Sequence, residues 1–207
     1  MLSRRGVCAP FDNQADGFVR GEGAVAVVLQ RLEEAAGEVH AVVSGVQSNH
    51  NGRSGANLTS PSASAQESVI RAALCDAGID PAQVGYVECH GTGTKLGDPI
   101  EVSALQNVFD EHSSPRRSPL FVGAAKAAVG HAESAAGLVG LLKAVLVLKH
   151  GNVPPLLHIS RTNEHLRLER SRLELPKTWK SLENPATFAG VSSFGFSGVN
   201  CHAVLRR

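Results

Sequence analysis

Val84-Gly85-Tyr86-Val87-Glu88-Cys89-His90-Gly91-Thr92-Gly93-Thr94-Lys95-Leu96-Gly97-Asp98-Pro99-Ile100-Glu101 is the stretch on which the fold turns. Val84 to Cys89 reads as a strand, and Asp98-Pro99 as the N-cap and first turn of a helix running through Leu105 to Phe109. A glycine-rich loop joins them. The same order recurs on both sides. Upstream, Ala24 to Leu29 and, less cleanly, Val39 to Val46 read as buried strands. A polar loop from Asn49 to Ser62 then leads to a helix with a Ser64/Glu67 capping box, an apolar face at Val69, Ile70, Ala73, Leu74 and Ala77, and a closing Gly78. Downstream, a polar linker from His112 to Pro119 precedes a strand at Leu120 to Gly123 and an apolar helix from about Ala132 to Lys149, ended by Gly151. Leu173 to Leu175, Thr187 to Ser193 and Asn200 to Leu205 are strand-like, and the last two suggest a hairpin across Phe194-Gly195-Phe196-Ser197-Gly198. Strands alternating with helices give a layered α/β fold with a mainly parallel sheet and antiparallel strands at one edge. In such folds sites form at the carboxyl ends of the strands.

The 207 residues are 43% apolar and 19% charged with a net charge of +1, so no electrostatic bias points to nucleic acid or lipid. The longest apolar run, Ala135 to Leu148, contains Lys143 and falls short of the roughly 18 residues a spanning helix needs. Met1 to Gly6 carries two arginines but is followed by Asp12, Asn13, Gln14 and Asp16 in place of a signal core. Cys8, Cys75, Cys89 and Cys201 form no CxxC pair, and each reads as a small buried apolar residue. No metal site or disulfide framework is indicated, and a cytoplasmic setting is expected.

Two segments carry chemistry. His90 ends a strand and opens a flexible loop, where its side chain can face a cleft, although a lone histidine there is more often structural than catalytic. Gly91, Gly93 and Gly97 fit neither the dinucleotide fingerprint nor the P-loop. In Gly123-Ala124-Ala125-Lys126-Ala127-Ala128-Val129-Gly130-His131-Ala132-Glu133-Ser134-Ala135-Ala136-Gly137, His131 stands at an expected helix start, whose dipole would keep the imidazole neutral. Lys126 could fix a carboxylate or polarise the site. A solvated lysine beside a capping histidine satisfies the spacing equally well.

These two segments, followed by Val191-Ser192-Ser193-Phe194-Gly195-Phe196-Ser197-Gly198-Val199-Asn200-Cys201-His202, closely resemble the β-ketoacyl synthase family of polyketide and fatty acid synthesis, in its large modular or iterative polyketide style. Cys8-Ala9-Pro10-Phe11-Asp12 and Ala15 to Ala24 look like the end of that family's N-terminal half. The resemblance implies a thiolase-like fold, with residues 1–35 as the tail of the N-terminal half and residues 36–207 as the C-terminal domain. By motif, His90 and His131 correspond to two histidines that hold the malonyl thioester carbonyl during decarboxylation, and Lys126 to an active-site lysine. Thr92 and Thr94 match threonines that contact a phosphopantetheine arm carried by an acyl carrier protein. Phe196 matches an aromatic gate, and Glu133 and Asp98 stand behind these as supporting carboxylates. The implied partners are the carrier protein and the N-terminal half, within a dimeric enzyme; no directly bound cofactor, metal, nucleic acid or membrane is implied.

The chain departs from the family in three places. It contains no Cys-Ser-Ser segment to supply the nucleophile, and Cys89, beside His90 on a strand, points to the opposite face. Ala127-Ala128 replace a usual Ser-Asn pair, and Ser197 and Val199 stand where glycine and threonine are common. The primary expectation is therefore the C-terminal part of a ketosynthase, inactive alone. A carrier-binding remnant and a cysteine-free malonyl decarboxylase are the alternatives.

Overall fold

The computed structural model describes residues 1–53, 60–110, 118–182 and 188–207. Its centre is a six-stranded sheet with β1 (Val42–His50), β2 (Val84–Glu88), β3 (Leu120–Gly123), β5 (Leu173–Glu174), β7 (Phe188–Phe194) and β8 (Val199–Arg206), in the order β1-β8-β7-β2-β3-β5. β2 pairs in parallel with both β3 and β7, and β3 with β5; β7/β8 and β8/β1 are antiparallel. β4 (Asn152–Val153) and β6 (Lys180–Ser181) form a separate antiparallel pair. The expected parallel centre with an antiparallel edge is what the chain builds.

Alternation along the strands explains the layers. Val87, Leu120, Val122 and Val204 point to one face, where α1 (Ala63–Asp76) and α2 (Gly97–Phe109) cover them with Val69, Ile70, Ala73, Leu74, Val102, Leu105 and Val108. Tyr86, Phe121, Ala189, Val191 and Leu205 point to the other, against Ala144, Val147 and Leu148 of α4 (Ala136–His150). With both faces covered, the parallel strands are mostly apolar, with Glu88 of β2 and Ser192 of β7 buried among them. Each fully buried aliphatic side chain contributes roughly 1.5–3 kcal/mol.

Helix ends depart from the sequence expectation in three places. The N-cap of α1 is Ser62, whose hydroxyl accepts from Ala65 N–H at 3.3 Å; Glu67, expected in a Ser64 capping box, instead pairs with Arg71 and accepts from Asn107. The expected apolar face, Val69, Ile70, Ala73 and Leu74, packs on the sheet. α2 begins at Gly97, so Asp98 is not its N-cap. The long apolar helix begins at Ala136, after the four-residue α3 (Lys126–Val129) and a 3-10 turn at Glu133–Ala135, so His131 lies in a loop and not at a helix start. The C-terminal expectations hold. At Gly78, φ 64°, Gly78 N–H donates to Cys75 O and Ile79 N–H to Leu74 O, a Schellman closure, and Gly151, φ 65°, ends α4.

Two further corrections concern burial. Ala24 to Leu29 is not a strand: it has no ladder partner among the described residues, and Val28 and Leu29 are 91% and 75% exposed. An apolar run specifies burial, but a strand also needs a neighbouring edge. Cys8 and Cys89 are buried as expected, whereas Cys75 is exposed and Cys201 half-buried. Cys75 lies one residue past the Leu74 that faces the sheet and so turns outward. The expected linker at 112–119, the tip of the loop at 49–62 and Thr187 lie partly or wholly outside the described residues.

Candidate active site

Because β2, β3 and β7 run in parallel, the segments leaving their carboxyl ends meet on one side of the sheet. They deliver His90, His131 at the end of the turn that begins with Lys126, and Phe194 with Phe196 to a cavity of about 1040 Å³. Met1, Asp16, Gly17, Phe18 and Arg20 complete its wall. This first segment is tied in place by its own polar groups. Asp12, fully buried, accepts from Ser160 N–H (2.7 Å), Ser160 Oγ (2.9 Å), Arg161 N–H (2.9 Å) and Gln14 N–H (2.8 Å).

The two imidazoles stand edge to face with centroids 5.7 Å apart, close enough for both to reach one small group. Each has its Nδ1 occupied by a backbone donor: Phe194 N–H on His90 at 3.3 Å, and Glu133 N–H on His131 at 2.9 Å. A nitrogen that accepts cannot carry the proton, so in the neutral ring the hydrogen is on Nε2. Burial pulls His90 well below the ordinary imidazole range, helped by the positive Lys126. Burial and Lys126 bring His131 down to about 4. Both rings are therefore neutral donors at physiological pH. For His131 the reason is burial and a neighbouring cation in place of the expected helix dipole.

Lys126 is buried, and its ammonium donates to His90 O at 2.6 Å. Burial lowers its pKa, and the carboxylates of Glu101 and Glu88 act against that. Glu101 belongs to the site although no sequence motif singles it out. It accepts from His90 N–H (2.7 Å) and Gly91 N–H (2.9 Å) and so fixes the backbone on which His90 stands. Glu88, equally unmarked, accepts from Tyr86 OH and from Ala125 N–H at the head of the lysine turn, with Lys143 Nζ 3.0 Å away. The i,i+3 spacing of Asp98 and Glu101 on an apolar helix is an available signal for the first. Nothing comparable marks the second.

The remaining expected residues divide by position. Thr92 and Thr94 line the cavity, their hydroxyls 3.3 Å apart, and Thr94 Oγ1 accepts from Gly97 N–H. Phe196 sits at the tip of the β7–β8 turn, 63% exposed, at the cavity wall. Glu133 pairs with Arg20 at the rim. Asp98 is buried beneath the loop and accepts from Phe11, Gly93 and Thr94 N–H; burial raises its pKa to about 7. Neither buried thiol is activated: burial pushes Cys8 up to about 11 and Cys89 well above its ordinary value. Among the described residues, no histidine, cysteine and carboxylate cluster is arranged for a metal ion.

Comparison with known proteins identifies the family. Residues 40–160 match the family described as beta-ketoacyl synthase, C-terminal domain, and residues 1–35 match beta-ketoacyl synthase, N-terminal domain. The chain belongs to the β-ketoacyl synthase family. It is 46% identical over its whole length to a phenolphthiocerol/phthiocerol polyketide synthase polypeptide of Mycobacterium tuberculosis, covering 11% of that protein. An erythronolide synthase of Saccharopolyspora erythraea is 44% identical over 99% of the chain, which covers 6% of it. Among solved structures, the ketosynthase from module 6 of the bacillaene synthase of Bacillus subtilis superposes with a TM-score of 0.93 at 40% identity, over 99% of this chain and 38% of that one. The oxazolomycin ketosynthase domain of Streptomyces albus gives 0.94 at 38%, over 100% and 37%. The chain thus spans well under half of each relative, and its fold is the thiolase-like fold of those domains.

Proposed function

We infer that these residues form the histidine and lysine side of a polyketide-synthase ketosynthase, which condenses an acyl thioester with a malonyl thioester and releases carbon dioxide. The observation that carries this reading is the pair of neutral imidazoles, each with Nδ1 blocked by a backbone N–H and Nε2 left to donate, facing one cavity. When the malonyl carboxylate leaves as carbon dioxide, the electron pair of the broken carbon-carbon bond moves into the thioester and negative charge grows on its oxygen. Two preorganised Nε2–H donors stabilise that oxygen, and loss of one such donor typically costs about 10²–10³ in rate. The enolate carbon then attacks the acyl carbonyl, and the thiolate that held the acyl group departs.

The acyl-bearing thiol is assigned to residues outside these 207, because Cys8 and Cys89 are buried with raised pKa values and neither Cys75 nor Cys201 lines the cavity. In this reading residues 1–35 close the N-terminal domain and residues 36–207 form the C-terminal one. The malonyl group arrives on the phosphopantetheine arm of an acyl carrier protein, passing Thr92 and Thr94, with Phe196 at the entrance. Among the described residues no helix is long and apolar enough to cross a membrane, and a reducing cytoplasm suits the four unpaired cysteines.

The test is decarboxylation and condensation by the polypeptide that joins these residues to a cysteine-bearing N-terminal domain. His90→Ala and His131→Ala are each expected to lower malonyl decarboxylation about 10²–10³-fold and to lower condensation with it, because the attacking enolate is the product of decarboxylation. Wild-type decarboxylation in both folded variants would overturn the assignment. Loss of condensation alone in His131→Ala would move that residue to the acyl thioester.

A further inference from the structure

His131 is held at two points by two neighbours that the proposed chemistry leaves unused. On the backbone, His131 N–H donates to Val19 O (2.7 Å) and Gly21 N–H donates to His131 O (2.9 Å), so Arg20 lies beside it in a one-residue parallel bridge. On the ring, Nδ1 accepts from Glu133 N–H. Glu133 presents that N–H from a left-handed backbone, φ 50°, a conformation that glycine enters freely and a residue with a Cβ does not. What glutamate brings that glycine lacks is a carboxylate, and here it forms an ion pair with the Arg20 guanidinium. The connections close into a ring: His131 main chain, segment 19–21, Arg20 side chain, Glu133 side chain, Glu133 N–H, His131 Nδ1.

We propose that Arg20 and Glu133 are positioning residues for His131, holding the Glu133 N–H on Nδ1 so that the donor hydrogen stays on Nε2. This rests on the reading of His131 as an oxyanion donor. The two side chains are 66% and 55% exposed, and exposed pairs add little to overall stability, so a contribution to folding alone accounts poorly for the arrangement. The charged groups around the imidazole also act in opposite senses. Lys126 and Arg20 disfavour its protonation, Glu133 favours it, and the neutral His90 ring stands beside it.

Histidine-selective ¹⁵N NMR of the polypeptide that joins these residues to the N-terminal domain tests this without any need for turnover, with His131 assigned by its loss in His131→Ala. The wild-type ring is expected as a single tautomer with Nδ1 unprotonated. Arg20→Met, which leaves the Glu133 charge unopposed, should move the His131 titration up, and Glu133→Gln should move it down. Glu133→Gly keeps the N–H and the backbone conformation but loses the pair, and should give mixed tautomers; Arg20→Lys, with Glu133 in place, keeps a charged pair and should keep the single one. A single tautomer in Glu133→Gly, or titrations that move together or not at all, would overturn the proposal. In the enzyme joined to its N-terminal domain, Arg20→Met and Glu133→Gln should slow decarboxylation about tenfold, short of the 10²–10³ expected for removing the donor itself. If His131→Ala left decarboxylation unchanged, the functional reading would fall while the NMR result still decided the positioning.

Discussion

Protonating His131 would undo its donor geometry, because Nδ1 would then carry a hydrogen directed at the Glu133 N–H. With its pKa held at about 4 by burial and Lys126, decarboxylation should stay level as pH falls from 7 to about 5 and decline only on approaching 4. An ordinary imidazole would give a midpoint near 6.5, and a pH–rate profile at saturating substrate distinguishes the two. Glu101→Gln is expected to place an amide NH₂ against one of the two N–H groups it now accepts from, those of His90 and Gly91. One mispaired buried donor costs roughly 1–3 kcal/mol, readable as a lower urea midpoint together with a loss of rate. His90, His131 and Lys126 are legible in the sequence because motifs preserve side-chain identity. The groups that set their tautomers are not, because the N–H groups of Phe194 and Glu133 are backbone donors that any residue could supply.

Between elements, α1 lies close over β1 at Gly45. A Cβ there would lie 2.5 Å from Ala73 O and 2.6 Å from Ala77 N, both backbone atoms with no rotamer to change. Gly45→Ala is therefore expected to cost about 1–3 kcal/mol through overpacking, seen as a lower melting temperature. Asp98 ties the 91–97 loop to Phe11, and folding lifts its pKa from about 3.9 to about 7. The folded state thus binds this proton more tightly, so its contribution to stability is whole below about pH 4 and is lost as pH rises through 7. Relative to Asp98→Asn, the wild type should lose up to about 4 kcal/mol across that window, measured as the difference in urea midpoints at each pH; a constant difference would contradict the assignment. The order and type of these elements are more legible in the sequence than their limits. Ser62 and Ser64 are both competent caps, and it is the Ser62 hydroxyl that accepts from Ala65 N–H. Asp98 escapes a local reading because it turns back toward its own loop, which no local pattern encodes.

At the scale of the molecule, the segment from Gly21 to Glu38 is bonded at one end to His131 by Gly21 and at the other to Lys149, near the end of α4, by Glu38. On α4, Leu138, Leu142 and Leu146 form an outward stripe at four-residue spacing, with Val28 and Leu29 also in solvent. Apolar patches beyond a few hundred Å² associate. The purified chain is expected to be oligomeric or poorly soluble, and Val28→Ser with Leu142→Glu should shift it toward monomer in sedimentation; a monodisperse wild-type monomer would contradict this. Ala24 to Leu29 reads as buried because the sequence records the need for cover without recording what provides it. The sheet order bears on how the chain is made. Among the described residues β1 joins the sheet only through β8, so the strand at Val42–His50 leaves the ribosome long before Val199–Arg206 exists to receive it. At about 5–20 residues per second that interval is on the order of ten seconds, during which β1 is an open edge. A nascent chain stalled before residue 199 could pack α1 against α2 but would leave β1 without the strand that pairs with it.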